Sequence, residues 1–504
     1  MITFCDVSFC YGEEDAKGGT DACIDGMSFE IRAGECVVLC GRSGAGKSTV
    51  LRLIDGLAPA FYEGTLHGSV TVAGREPAAM TPEQRVRTFG VVFQDPRSQF
   101  FMNSVQDEIA FSAENIGLAP RAVQEKVREA AALLNIEPLL CRTVDALSAG
   151  QKQRVAIAAA LVLSPDILIL DEPVSNLDAE GSRILIGLLA EIKRRGTTVI
   201  ISEHRLHAFL EIADSFLHIE HGRVAHRWTA AEFARLPEDE LQRFGFRYPG
   251  MAELPLRRKK IRAVERAVGA AGTTVETMRS ALCASNVTYL YKPVRDGGNG
   301  CGEKDREKNA AGPEPACGIR NISLAFPHGS VTALTGENGA GKTTLCKVLC
   351  GLLRQKSGSI TLDGRELSCA QRQRISYFVM QDADYQLYSD SVINELLLGR
   401  EPSQDNKRRT EEALELFHLQ KVRNRHPASL SGGEKQRVVI AAAYCSDAEV
   451  FVFDEPTSGM DGEGLLSMAR WANMLAQAGK TVIIITHDEL LADIACDYRV
   501  RLIR

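Results

Sequence analysis

The chain has 504 residues, 45% hydrophobic and 25% charged, a globular composition long enough for two or more domains. A formal net charge of −6 argues against broad electrostatic affinity for nucleic acid, and no apolar run approaches the roughly twenty residues that span a bilayer. The 14 cysteines are scattered without a C-x-x-C pair, which speaks against a disulfide or zinc framework.

Met1 to Asp6 lacks a charged stretch followed by an apolar core, so no secretory signal is predicted. The first informative segment is the β-type run Val37-Val38-Leu39-Cys40. It is followed by Gly41-Arg42-Ser43-Gly44-Ala45-Gly46-Lys47-Ser48-Thr49 and a helical pattern. Strand, glycine loop and helix in that order make a phosphate cradle. Glycines let backbone N–H groups curl inward around an anion, and the helix N-terminus adds partial positive charge. Lys47 would reach the β/γ-phosphates and Ser48 would offer its hydroxyl to Mg²⁺.

Further along, Gln94 follows the short apolar stretch Val92-Phe93, where its amide can bridge a metal-bound water. The segment Gln99 to Ile109 places Phe100 and Phe101 beside Glu108. It reads either as a groove for a partner's helix, with Glu108 available to a basic side chain, or as packing inside a small helical region. Leu147-Ser148-Ala149-Gly150-Gln151 comes next. The unbroken apolar run Asp166 to Leu170, a strand buried on both faces, then ends in Asp171-Glu172-Pro173. Neighbours on a strand face opposite ways, so the two acids have different tasks. Asp171 suits Mg²⁺, and Glu172 suits a general base for an attacking water. His204 follows the next strand, Val199 to Ile201, and suits a hydrogen bond to the γ-phosphate.

The whole series then recurs. Val331 to Thr335 leads into Gly336-Glu337-Asn338-Gly339-Ala340-Gly341-Lys342-Thr343-Thr344. Gln381 follows Val379-Met380, and a segment from Gln386 to Leu396 carries Tyr388 and Glu395. Leu430-Ser431-Gly432-Gly433-Glu434, the strand Val450 to Phe453 with Asp454-Glu455-Pro456, and His487 after Val482 to Ile485 complete it. Loop lysine to helix-ending glycine is 9 residues in both copies (Lys47 to Gly56, Lys342 to Gly351). Signature serine to strand-end aspartate is 23, and that aspartate to the histidine is 33, again in both. Such equality marks a duplication. Only lysine to serine differs, 101 residues against 89, so the variable part of each unit lies there. By symmetry Thr343, Asp454 and Gln381 are the second Mg²⁺ set, Glu455 the second base, and His487 the second hydrogen-bond donor to a γ-phosphate.

These boundaries predict a first domain over 1–245, a connector over 246–280 and a second domain over 281–504. The connector mixes the basic run Arg257 to Arg262, read as a solvated face, with an alanine-rich helical pattern from Ala263 to Ala271. A polar insertion over 296–315 reads as a surface loop, and Cys301 within it and Cys317 just past it are the candidates for a metal or redox pair.

Six motifs in order, twice, resemble the nucleotide-binding subunits of ATP-binding cassette proteins. The resemblance implies an α/β fold of two tandem P-loop NTPase domains, each a mainly parallel sheet core with an antiparallel β subdomain and a small helical subdomain. It implies ATP and Mg²⁺ as cofactors, and Tyr11 and Tyr291 as the aromatics that stack on adenine. Leu147–Gln151 and Leu430–Glu434 match the family signature, and Ser175–Asp178 and Ser458–Asp461 its D-loop. In that family two units sandwich two ATP head to tail. Lys47, Gln94, Glu172 and His204 would then work with Ser431-Gly432-Gly433, and Lys342, Gln381, Glu455 and His487 with Ser148-Ala149-Gly150. Ala149 departs from the usual signature glycine.

The variable segments are similar to the ATPases of energy-coupling-factor importers, and the fused length to those associated with thiamine-precursor uptake. That implies one two-domain chain working at the cytoplasmic face of a prokaryotic membrane. Its partners would be a transmembrane scaffold subunit and a substrate-binding membrane subunit, with no nucleic acid. Two other classes share the motifs: fused sugar-importer ATPases, whose second unit usually lacks an intact loop and base, and soluble translation factors that bind ribosomes through a long charged connector.

Overall fold

The computed structural model describes residues 1–12, 23–175, 177–253, 262–264, 281–291, 318–401, 403–430 and 432–503. Residues 257–261 of the basic run, the 296–315 insertion with Cys301 (and Cys317 just beyond it), and Ser431 lie outside the described residues. The chain divides into two compact units, Met1–Glu253 with Thr457–Leu466, and Leu254–Pro456 with Ser467–Arg504.

In the first unit a six-stranded sheet runs Phe89–Val92, Ile167–Asp171, Thr198–Ser202, Cys36–Cys40, Ser215–Glu220, Arg223–Thr229. The first five are parallel and the last pairs antiparallel. Cys36–Cys40 and Thr198–Ser202 are buried along their whole length, the reason both read as continuous apolar runs. Each Leu, Ile or Val so enclosed contributes about 1.5–3 kcal/mol. An antiparallel sheet of Ile24–Ile31, Ile2–Tyr11 and Gly64–Val72 is separate from this one. Helices Val105–Asn115, Pro120–Leu133 and Ala149–Leu161 form the helical part.

The second unit repeats the plan. Its parallel sheet runs Arg262–Val264, Tyr498–Arg501, Ser330–Thr335, Thr481–Ile485, Val450–Asp454, Ser376–Val379. Its antiparallel sheet holds Gly318–Pro327, Ala281–Leu290, Ser357–Leu362 and Arg365–Glu366. Arg262–Val264 is a strand parallel to Tyr498–Val500, which corrects the helical reading at the start of the alanine-rich stretch. Alanine propensity lost there to an open sheet edge that could be paired. Part of the unequal spacing before the signature comes from the helix Val105–Asn115, whose counterpart Val392–Leu397 is shorter.

Strand order explains why the motifs meet. Four adjacent strands of the first unit end, side by side, at Gln94, at Asp171-Glu172, at His204 and at the glycine loop. The same four neighbours in the second unit lead to Gln381, Asp454-Glu455, His487 and its loop. The carboxyl ends of parallel strands are where such sheets bind ligands.

Both loops open on a glycine with no room for a side chain. A Cβ at Gly41 (φ 148°) would lie 2.2 Å from the Ile219 carbonyl oxygen, and one at Gly336 (φ 140°) would lie 2.3 Å from that of Leu502. Gly44 (φ 80°) meets nothing within 4 Å. Gly41→Ala should therefore cost about 3 kcal/mol of first-unit stability, against about 1 kcal/mol for Gly44→Ala, where only the left-handed backbone is penalised. Thermal unfolding of the two variants checks this; equal shifts would show that the loop relaxes around the clash.

Candidate nucleotide site in each unit

In the first unit the helix Lys47–Ile54 starts directly from the glycine loop, with Gly46 at its N-cap in left-handed backbone (φ 106°). Lys47 Nζ donates to the carbonyl oxygens of Gly41 and Arg42, both at 3.0 Å, and lies 3.4 Å from His204 Nε2. Ser48 Oγ donates to Asp171 Oδ2 at 3.0 Å, tying the helix to the acid-bearing strand. Glu172 faces the other way: its Oε2 accepts from Gln94 Nε2 at 2.9 Å and its Oε1 lies 3.7 Å from His204 Nε2. The backbone N–H of Glu172 donates to the Ser202 carbonyl, fixing the acid against the strand that leads to the histidine.

The second unit reproduces this. Lys342 Nζ donates to Gly336 O at 2.7 Å and Glu337 O at 3.1 Å, and lies 3.0 Å from His487 Nε2. Thr343 Oγ1 donates to Asp454 Oδ2 at 2.9 Å. His487 Nε2 lies 3.6 Å from Glu455 Oε1 and 3.0 Å from Asn338 Oδ1. Gln381 follows Ser376–Val379 as Gln94 follows Phe89–Val92.

Burial sets the electrostatics. It pushes Glu172 up to about 8, aided by Glu203 and Asp171 and opposed by Lys47 and Arg247. Burial, with Lys47 and Arg247, holds His204 well below the usual imidazole range, so the ring is neutral. Lys47 is drawn below its ordinary value by burial, against the pull of Glu172 and Asp171. Asp454 is raised by burial, offset by the Thr343 hydrogen bond. A site that shifts an acid and an imidazole in opposite directions separates their roles.

The donors beneath each loop are hard oxygens: the Ser48 hydroxyl and Asp171 carboxylate, and the Thr343 hydroxyl and Asp454 carboxylate. Gln94 gives its amide nitrogen to Glu172, which leaves its carbonyl oxygen as the donor a cation would take. This set fits Mg²⁺, which prefers a few oxygen ligands and keeps its own waters and phosphate oxygens.

The remaining site residues are placed as follows. Ser43, Gly44 and Gly46 line the first loop, and Asn338, Gly339 and Gly341 the second. Tyr11 shares a hydrogen bond of 3.2 Å with Thr49 Oγ1, and Tyr291 one of 3.2 Å with Thr344 Oγ1, so each tyrosine is tied to the first turn of its loop helix. Ser148 and Gln151 form a capping box at the start of Ala149–Leu161, each side chain bonding the other's backbone N–H. Gly150 follows in that first turn. Gly432, Gly433 and Glu434 open the helix Gly432–Cys445. A methyl at Gly432, the counterpart of Ala149, would meet nothing within 4 Å, so alanine is compatible with this helix start.

Two features escaped the sequence reading. Glu172 (φ 48°) and Glu455 (φ 49°) both occupy left-handed backbone, a costly state for a side-chain residue and a frequent mark of functional positions. The following proline gave no signal of it, because proline biases the residue before it toward extended backbone with negative φ. Glu203 is 2% exposed, and its Oε1 accepts from the N–H of His204 at 2.8 Å and of Arg205 at 3.1 Å. Its counterpart is Thr486, and there the His487 N–H donates to Glu455 Oε2 at 3.2 Å instead.

One expectation is corrected. Glu108 and Glu395 are not available to a partner's basic side chain. Glu108 is 4% exposed and its Oε2 accepts from Phe101 N at 2.9 Å and Met102 N at 2.7 Å. Glu395 does the same for Tyr388 N at 2.9 Å and Ser389 N at 2.7 Å. Each acid is turned inward to satisfy the backbone of the aromatic segment. The aromatics are what project: Phe101 is 74% exposed and stacks on Phe111 at 5.1 Å, and Tyr388 is 76% exposed. In the first unit Phe101 borders a groove of about 290 Å³ with Asp55, Arg85, Phe89 and Phe111 in its walls. Burial pushes Asp55 up to about 7, against the Leu57 N–H, Arg85 and Arg52.

A family model described as "ABC transporter" matches residues 24–175 and 319–458. A provisionally named ABC transporter ATP-binding protein of Treponema denticola is 36% identical over 488 residues, spanning 97% of this chain and 92% of its own length. A Bacillus subtilis protein, YkoD, provisionally named for HMP/thiamine import, is 30% identical over 98% of this chain and 88% of its own length. The solved structure of an RNase-L inhibitor shares the fold at 23% identity, with a TM-score of 0.59 over 98% of this chain and 87% of that one. Two matched segments, each with a glycine loop and a hydroxyl–carboxylate pair, and a relative 36% identical over nearly the whole chain establish that the chain belongs to the ATP-binding cassette (ABC) transporter family and is an ATPase of two tandem cassettes.

Proposed function

We propose that the chain is the ATP-hydrolysing subunit of a membrane importer of the energy-coupling-factor type, driving uptake of a vitamin or metal ion. The observation that carries the importer reading is the exposed aromatic at matching places in both units, Phe101 and Tyr388, each on the segment that follows the glutamine of its site. Exposed rings in a groove suit an apolar helical segment from a membrane subunit. Such a contact lies a few residues from Gln94 or Gln381, so docking and the state of the nucleotide site would be felt by one loop. The name of the B. subtilis relative supports uptake of a small molecule. No helix among the described residues is long and apolar enough to cross a membrane; in this reading the translocation path is formed by other chains.

At each site the loop amides and Lys47 or Lys342 would hold the β/γ-phosphates, and Tyr11 or Tyr291 would stack on the adenine. Ser48, Asp171 and Gln94, or Thr343, Asp454 and Gln381, would hold Mg²⁺, which supplies charge neutralisation for the phosphoryl oxygens. Glu172 and Glu455 would take the proton from the attacking water, and His204, held neutral by burial, or His487 would donate to a γ-phosphate oxygen. His204 lies within reach of both Lys47 and Glu172, which suits a group that reports whether the phosphate is present.

Three measurements test this. Glu172→Gln and Glu455→Gln should each lower ATP turnover at least tenfold, as loss of a general base does. A rate near wild type for either would mark that site as a passive binder. The tagged chain extracted in detergent should bring down small membrane proteins, whereas ribosome co-sedimentation that survives moderate salt would favour the translation-factor reading. Phe101→Glu should reduce that membrane co-extraction roughly tenfold by burying a charge at the contact. The ATPase rate of the purified variant, measured alongside, separates lost docking from lost folding.

A further inference from the structure

The base-stacking tyrosines are held differently in the two units. Tyr11 has Phe9 edge to face at 5.0 Å on its own strand. Its hydroxyl shares a hydrogen bond with Thr49 and accepts another, of 2.9 Å, from Arg52 Nη1. The Arg52 guanidinium lies over the Tyr62 ring, 4.1 Å from its centroid, and Tyr62 meets Tyr11 edge to face at 6.5 Å. Three elements therefore converge on one ring: its strand, the phosphate-loop helix, and the turn after that helix.

Among the described residues Tyr291 has the equivalents of only the first two contacts, Tyr289 edge to face at 5.0 Å and Thr344 at 3.2 Å. Position 347 is lysine where the first unit has Arg52, and the turn Leu352-Leu353-Arg354-Gln355-Lys356 contains no aromatic. An ammonium cannot lie flat on a ring and at the same time direct a fixed N–H to a neighbouring hydroxyl, as a planar guanidinium does.

We propose that Arg52, seated on Tyr62, is a positioning residue that pins Tyr11 for the nucleobase, and that this clamp makes the first unit the tighter nucleotide site of the two. The proposal rests on reading Tyr11 as the base platform. A ring already fixed in place loses little freedom when a base stacks on it, and preorganisation of that kind raises affinity without adding a contact. Arg52 acts through Tyr11, so its effect falls on the base and not on the phosphates.

The test uses the full chain carrying Lys342→Ala, so that binding reports the first phosphate loop. A fluorescent ATP analogue is titrated, with ATP and inorganic tripolyphosphate as competitors. Arg52→Lys should weaken ATP by about fivefold and leave tripolyphosphate unchanged. Tyr11→Phe keeps the ring and removes the hydroxyl; it should show the same loss, and the double variant no more than either alone. With both loops intact, Arg52→Lys should raise KM more than it lowers kcat. Unchanged ATP affinity in Arg52→Lys, or an equal loss of ATP and tripolyphosphate, would overturn the clamp. Tyr11→Ala separates the two levels. If it leaves ATP affinity unaltered, the base-platform reading falls with the clamp; if it weakens ATP while Arg52→Lys does not, the platform stands and only the clamp is lost.

Discussion

A hydroxyl on the first turn of one helix bonded to a carboxylate at the end of a buried strand holds each nucleotide site together. Ser48 to Asp171 and Thr343 to Asp454 join segments more than a hundred residues apart in sequence, and both pairs lie just beneath a glycine loop. Everything else in the site is placed relative to that link. The lysine preceding the hydroxyl reaches across the loop carbonyls, and the acid following the carboxylate turns outward to the glutamine and histidine. The link depends on a strand order that puts the acid strand one place removed from the loop strand, with the histidine strand between them.

Much of this was legible before any coordinates. Phosphate loops, paired acids and histidines have fixed residue types because the chemistry admits few substitutes, and parallel strands buried on both faces announce themselves as apolar runs. Equal spacings between motifs carried the duplication. The readings that missed concerned where a polar side chain turns. Glu108 and Glu395 are acids beside exposed rings in the sequence, and nothing local says that two unpaired backbone N–H groups would claim each of them first. Residues 262–264 look helical by composition, and only a distant strand, Tyr498–Arg501, decides otherwise.

The asymmetry between the units was also beyond reach of motif matching. Both copies carry the same general-base, histidine and loop-lysine types, and besides the changes within the motifs there are differences outside them: Arg52 against Lys347, Glu203 against Thr486, Asp55 against Cys350. Arg52 and Glu203 touch motif residues without belonging to the pattern. They are also where a duplicated sequence can drift while each copy keeps its chemistry.

Consider the amide of each histidine. In the second unit it is bonded to the acid that would activate water, so any shift of the histidine turn drags that carboxylate along. In the first unit Glu203 intercepts the same amide, and the acid is held from the opposite side by the glutamine. The acid of the second unit thus accepts from the backbone of the turn that carries its histidine, whereas in the first unit a neighbouring acid, Glu203, takes that place. A movement of the histidine turn is therefore transmitted to the base directly in one cassette and to a different carboxylate in the other.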